Sequence, residues 1–325
     1  MQPGRPRIYS EVVSPPKTVF HPSLIREMKS LLGPTNVLEK QEDLLLYEFD
    51  GSVEKARPDL VVFPRTTKEV SEIVRLAVRY GVPVVGRGAG TGLSGGALAR
   101  GGGVMIVFAR MNKIIDLDLE NCRAVVQPGV VNLDITRAVE HAGLYFAPDP
   151  SSAKSCTIGG NVAENAGGPH TLAYGVTTNH VAALELVLPD GEIVRIGSKH
   201  GDVVGYDLCG LFVGSEGTLA LITEITVKLA RKPGAVKTLL ATFETIEDAS
   251  QAVVEITARG ITPAACEMLD GWTLCVVEDY IHAGFPRDSG AVLLMEVEGL
   301  KEAVEAQAAA IGSICAIRHA RGSGG

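Results

Sequence analysis

The stretch VVGRGAGTGLSGGA, residues 84–97, decides the fold, because it packs six glycines between an apolar run that begins at Val82 and another that begins at Val104. Clustered glycines let the backbone take positive φ and approach a ligand closely, so that its amides point at an anion instead of at each other. A second cluster, TIGGNVAENAGGPHTLAYG, occupies 157–175. Two such clusters imply a long ligand gripped at two places.

Within the first cluster, Gly90-x-Gly92-x-x-Gly95 satisfies the dinucleotide fingerprint of a Rossmann fold, and Asp116 lies downstream where a ribose ligand would be expected. That fingerprint needs an amphipathic helix after it, whose N-terminus holds the pyrophosphate. Only eight residues separate Gly95 from Val104, and three of them are Gly101, Gly102 and Gly103. No helix fits there, so the Rossmann reading fails. A P-loop fails too, since no Lys-Ser/Thr follows a Gly-x4-Gly. A plain surface loop rarely needs so many glycines unless a ligand lies against it.

Composition narrows the classes further. A chain of 325 residues predicts two domains, or one two-lobed domain with an appendage. A net charge of −8 with acidic and basic residues interspersed argues against a nucleic-acid partner, which calls for a basic face. Residues 1–23 carry Pro3, Pro6, Pro15, Pro16 and Pro22 but no apolar core of a signal peptide, and the apolar runs elsewhere are strand-sized. Six scattered cysteines form neither a C-x-x-C pair nor a disulfide scaffold, and the seven histidines form no metal motif. The expectation is a cytoplasmic protein without a structural metal or an iron–sulfur cluster of its own.

The pattern along the chain predicts an α+β protein in three parts: an N-terminal helical segment over 1–55, a main domain over 56–233 and a smaller layered domain over 234–325. A helix over 22–32 ends at Gly33-Pro34. A strand at 60–63 leads to a helix signalled by the capping box Thr66-x-x-Glu69, an apolar stripe of Val70, Ile73, Val74, Ala77 and Val78, and a stop at Gly81. Strands follow at 82–86, 104–109 and 123–126, then a helix over 133–142. Pro189-Asp190-Gly191 predicts a hairpin turn between strands 183–188 and 192–196. Beyond 212–217, a glycine-containing turn, a strand runs over 219–229 and RKPG at 231–234 marks a boundary. Strands at 236–243, 264–268 and 290–298 then alternate with helices at 246–259, 272–282 and 301–311, a sheet with helices layered on it. The final GSGG reads as a flexible end.

Four segments in this order, VPVVGRGAGTGLSGGA (82–97), YFAPDPSS (145–152), TIGGNVAENAGG (157–168) and LFVGSEGTLALITEITVKL (211–229), resemble the flavoproteins of the vanillyl-alcohol oxidase and p-cresol methylhydroxylase superfamily. Within it the chain is very similar to the FAD-binding subunits of glycolate oxidases, collinearly from about residue 40 to about 312. The resemblance implies a two-lobed PCMH-type FAD-binding domain followed by an incomplete α+β, ferredoxin-like substrate or cap domain. It assigns the pyrophosphate loop to Arg87, Gly88, Ala89, Gly90, Thr91, Gly92, Leu93, Ser94, Gly95 and Gly96. It sets Pro148, Asp149, Ser151 and Ser152 along the cofactor path, and Gly159, Gly160, Asn161, Asn165 and Gly168 near the flavin. Glu216, Gly217 and Ile222 fall towards the adenosine end. Relatives with covalently attached flavin carry a histidine in the first loop; Thr91 stands there instead, so the FAD is expected to be noncovalent.

The implied chemistry is oxidation of glycolate or a related D-2-hydroxy acid, such as D-lactate or D-2-hydroxyglutarate. In it the α-hydrogen leaves as hydride to flavin N5, a base takes the hydroxyl proton, and cationic residues hold the carboxylate. The implied partners are the acid, an iron–sulfur subunit that accepts electrons and a second FAD-domain subunit, in a complex that can lie at the inner face of the cytoplasmic membrane. The family's histidine motifs belong to a stretch beyond residue 325, so the chain reads as truncated, frameshifted or a fragment, and a flavin-binding module without turnover is the alternative. His170 has two readings, a group near the flavin or a solvated loop histidine, and no carboxylate stands at a fixed spacing to orient it. Tyr174 either packs or lines the site. Cys156 is expected to be a small buried filler.

Overall fold

The computed structural model describes residues 21–199, 205–282, 284–318, 320 and 322–324. Pro3, Pro6, Pro15 and Pro16 therefore lie outside the described residues, as does most of the proline-rich entry segment. The fold is α+β, organised around three principal sheets.

In the first sheet, Leu60–Val62, Val104–Val107 and Val84–Arg87 run parallel in that spatial order, with Val37–Leu38 antiparallel on the outer edge. Parallel neighbours require a crossover, and the helix Thr67–Tyr80 supplies it. Thr66 accepts from the Glu69 amide at 3.2 Å, while Glu69 Oε2 accepts from the Arg65 amide, one residue upstream of the usual capping-box donor. Gly81 ends the helix in the left-handed region. Val78 does not belong to the buried stripe: it is 58% exposed, and Ser71 and Leu76 take the inward face instead. The reason is a hydrogen bond from Ser71 Oγ to the Gly191 carbonyl at 2.5 Å, which turns the helix towards the hairpin of the second lobe.

The second sheet is antiparallel, in the order Ile114–Asp118, Arg123–Val126, Leu221–Lys228, Val181–Val187 and Ile193–Gly197. Its inner face packs on the helices Asn132–Val139 and Ile158–Glu164, burying Val126, Ile135, Leu186 and Ile225 completely or nearly so. Each such side chain contributes about 1.5–3 kcal/mol relative to exposure. Val187 and Leu221 reach across into the core of the first sheet, so the two lobes share apolar contacts. Glu185 joins them by polar contacts. Its buried carboxylate accepts from Thr67 Oγ1 at 2.6 Å and Arg195 Nε at 2.8 Å. Although burial disfavours its charge, these donors hold its pKa below the ordinary carboxylate range.

The third sheet carries Ala265–Asp270, Ala291–Gly299 and Ala235–Phe243, all antiparallel, with Ile246–Ala258 and Lys301–Ile317 packed on one face. The last helix runs six residues past the expected 311 because Ile311, Ile314 and Cys315 continue its buried stripe. Residues Gly322–Gly324, expected to be a flexible end, instead pair antiparallel with Leu240, Ala241 and Thr242. They cover part of the outer edge of the strand Ala235–Phe243. The second glycine cluster also departs from expectation: it is not a loop throughout but contains the helices Ile158–Glu164 and Thr171–Tyr174.

Candidate functional site

The strand Val84–Arg87 delivers the chain into the first glycine loop at the carboxyl ends of the parallel strands, where open α/β sheets place their ligands. Facing that loop are the start of the helix Ile158–Glu164 and the turn 216–222 that opens the central strand of the second sheet. Between the lobes runs a cleft of about 1000 Å³, open mouth included. Arg87, Gly88, Ala89, Gly90, Thr91, Gly92 and Gly96 line it from one side; Ser152, Gly159, Gly160, Asn161, Glu216, Gly217 and Ile222 line it from the other. Leu93, Ser94 and Gly95 face a shallower extension that shares Gly96 and Glu216 with the cleft.

Main chain dominates the loop side. Among the described residues, the amides from Gly90 to Gly96 donate no hydrogen bond to protein. Gly90 and Gly95 hold φ of 71° and 77°, a conformation that β-branched residues avoid. Several glycines also answer to protein neighbours. A Cβ on Gly88 would overlap Thr157 Oγ1, one on Gly90 would overlap the Arg87 guanidinium, and one on Gly96 would lie 2.9 Å from Glu164 Oε1. A Cβ on Gly159 would meet Pro128 at 2.6 Å, so that glycine serves helix packing as well as openness towards the cleft.

Arg87 is the buried cation of the cleft. Its guanidinium lies over the Tyr47 ring at 5.8 Å, and its Nη1 is buried with no partner. Burial lowers its pKa, while Asp50 and Tyr47 favour its charge. Thr157 Oγ1 and Asp50 Oδ2 are likewise buried and unpartnered. A buried orphan donor of full charge costs stability unless something accepts from it. An elongated anion with hydroxyl groups answers this donor set: amides and Arg87 for phosphate, Thr157 and the carboxylates for hydroxyls.

Three carboxylates, on Asp50, Glu164 and Glu216, also face the cleft. The pKa of Glu164 is raised, first by burial and then by the Glu216 charge. Asp50, Phe108, Pro128, Thr157, Glu164 and Leu221 are cleft residues that the sequence reading missed. Thr157, Glu164 and Leu221 lay inside quoted motifs, and so were findable. Asp50 was not, because nothing local ties FDGS at 49–52 to a loop forty residues on.

Five expected site residues line neither the cleft nor its extension. The Pro148 carbonyl accepts from Asn132 Nδ2 at 3.0 Å. Asn165, in the left-handed region, caps its helix, and its Oδ1 accepts from the Thr178 amide at 2.9 Å. Ser151 is exposed in a turn, and Gly168 packs against Asp149. Asp149 itself turns away to His170. Its Oδ2 lies 2.7 Å from His170 Nδ1, and Glu296 Oε1 lies 3.1 Å from Nε2. No carboxylate stands at a fixed spacing from His170 in the sequence, yet the fold gives it two carboxylate partners, from residues 21 and 126 positions away. Tyr174 donates to Glu298 and meets Tyr145 edge-on at 6.1 Å, so it packs in this seam and does not line the cleft. Cys156 is buried on the cleft wall and accepts from Asn161 Nδ2 at 3.3 Å.

Among the described residues, no helix is long and apolar enough to cross a membrane. The FAD binding domain family matches residues 58–197, and the C-terminal domain of FAD linked oxidases matches 232–323. Glycolate oxidase subunit GlcD of Bacillus subtilis is 48% identical over 285 residues, covering 87% of this chain and 61% of that protein. D-lactate dehydrogenase of Anaerostipes hadrus is 38% identical over 291 residues, covering 86% and 61%. The chain therefore spans about three fifths of the length of these relatives. Among solved structures, alkyldihydroxyacetonephosphate synthase superposes with a TM-score of 0.79 at 25% identity, covering 96% of this chain and 62% of that one. p-Cresol methylhydroxylase has the same fold, with a TM-score of 0.71 at 17% identity and coverage of 93% and 65%. With both domain families matched in order along one chain, this protein belongs to the FAD-linked oxidases, flavoproteins whose cofactor is FAD.

Proposed function

We propose that this chain is the FAD-bearing part of a dehydrogenase that oxidises glycolate or a related D-2-hydroxy acid to the 2-oxo acid. In this reading residues 56–233 hold the cofactor, residues 234–325 cap the site, and the segment before residue 56 braces the glycine loop. The observation that carries the reading is the row of unpartnered amides from Gly90 to Gly96 beside buried, unsatisfied Arg87, in a chain this similar to a glycolate oxidase subunit. Electrons pass on to an iron–sulfur partner subunit, alongside a second FAD-domain subunit, at the inner face of the membrane.

When bound, FAD supplies the acceptor for the two electrons and the hydrogen that leave the substrate carbon. The chain's residues do the holding. Loop amides and the Arg87 guanidinium bind the pyrophosphate through charge-assisted hydrogen bonds. Thr157 and Asn161 line the path opposite, and Phe108, Leu221 and Ile222 exclude water from the apolar wall. Thr91 provides no imidazole for covalent attachment, so the cofactor is released intact on denaturation. His170 has both ring nitrogens engaged and cannot take the substrate hydroxyl proton without giving up a partner. This engagement favours a second reading, a flavin-binding module that turns over slowly by itself, since a general base is typically worth about 10² to 10⁴ in rate.

The test is anaerobic mixing of the FAD-loaded 325-residue chain with glycolate or D-lactate while the flavin absorption band is followed. Bleaching within seconds supports complete chemistry on this chain. Bound flavin with little bleaching supports the module reading, and failure to take up FAD would sink both.

A further inference from the structure

The Asp149, His170 and Glu296 side chains form a bridge between the FAD binding domain and the C-terminal domain. Asp149 and His170 belong to the first, and Glu296 lies on the strand Ala291–Gly299 of the second. Residues Pro150 and Ser152, just beyond Asp149, line the cleft, so the bridge adjoins its wall. Both ring nitrogens face carboxylate oxygens at hydrogen-bond distance, 2.7 Å and 3.1 Å.

Donor counting fixes the protonation of this trio. Ionised carboxylates only accept, and a neutral imidazole carries a single N–H. Both contacts are therefore hydrogen bonds only when the ring is an imidazolium. The other groups around it cannot replace that charge. Tyr174 on the same short helix donates its phenol to Glu298, Tyr145 packs on Tyr174, and Thr238 Oγ1 donates to Glu296 Oε2 at 3.4 Å. Glu267 is a further acid on the strand Ala265–Asp270, which packs against the helix Thr171–Tyr174. The set holds four carboxylates and one imidazole, so the ring supplies its cation.

We propose that His170 is a proton-operated latch: as an imidazolium it ties Asp149 to Glu296 and docks the C-terminal domain, and on losing its proton it releases one of the two carboxylates. This inference does not depend on the cofactor or on the substrate. Burial works against the ring's charge, but the hydrogen bonds to Glu296 and Asp149 outweigh it and raise its pKa above the ordinary 6.5. The sign follows. A raised value means the latch contributes fully below the ordinary pKa and is lost as pH rises through the raised one.

The experiment is hydrogen–deuterium exchange of the intact chain from about pH 6 to about pH 9, corrected for intrinsic rates, reading peptides over 145–175 and 291–299. For the native chain, protection of both segments falls with rising pH, by up to about tenfold per pH unit while the ring titrates. Glu296→Gln separates the latch from general pH effects, since its side-chain amide donates to a neutral ring and keeps the bridge closed without the extra proton. That variant is expected to show flat protection over the same range. Native protection that does not change with pH would overturn the latch, as would a Glu296→Gln variant that retains the native pH dependence.

Discussion

The glycine loop and the His170 seam are both polar sites in one chain, yet they are made of different material. The loop presents backbone amides, whose directions are set by φ at Gly90 and Gly95 and by strand Val84–Arg87 feeding it. The seam presents side chains at 149, 170 and 296, brought together only when two domains dock. A site built of main chain is stiff and tolerates few substitutions. One built of half-buried, titratable side chains is adjustable and contributes little to overall stability.

The sharpest break in this contrast is Gly90→Val or Gly95→Val. Each places a β-branched residue at positive φ, and at Gly90 the new Cβ also overlaps the Arg87 guanidinium. FAD at 100 times its dissociation constant stabilises by about 2.7 kcal/mol, and the expected outcome is loss of that entire FAD-dependent rise in melting temperature. Arg87→Met comes next. It removes one charged donor but leaves the amides, so affinity should fall by about tenfold to a hundredfold, in line with roughly 1.5–3 kcal/mol for a hydrogen bond to a charged group. Flavin fluorescence titration measures both.

Gly92→Val sharpens the comparison further. Its Cβ would stand 3.7 Å from Glu164 Oε1, an ordinary contact, and its φ is not in the left-handed region. The unliganded protein should keep its melting temperature, and any loss of FAD affinity then reports the ligand's approach alone. If affinity holds, Gly92 is not at the cofactor. His170→Gln gives the smallest effect. With its ring about 30% exposed, the lost pairs are worth about 0.2–1 kcal/mol in urea unfolding at neutral pH. A loss several times larger would mean that the seam is as rigid as the loop.

The same division explains what could be read from the sequence. The capping box at Thr66, the stop at Gly81 and the turn at Pro189-Asp190-Gly191 are local, and local chemistry sets them: Gly191 takes φ of 83° and the Leu188 amide donates to the Glu192 carbonyl. The cleft was legible through the glycines that line it. The helix Ile158–Glu164 was not, because two adjacent glycines oppose helix by about 1 kcal/mol each, and tertiary packing of Gly159 on Pro128 overrides that preference. Asp50, Glu296 and the outward turn of Val78 were equally hidden, since each depends on a partner far along the chain.

The segment around Gly51 gives the loop its back. The Gly51 amide donates to the Gly92 carbonyl at 3.0 Å, and a Cβ there would lie 2.8 Å from the carbonyls of both Thr91 and Gly92. The loop's carbonyls are thereby drawn to one side and its amides left to the other. Polarity across a strip of backbone one residue thick is thus sorted by a neighbour that lies outside the cleft lining, and the cleft owes its hydrogen-bond donors, in a chain of net charge −8, to the orientation of peptide groups more than to the supply of cations.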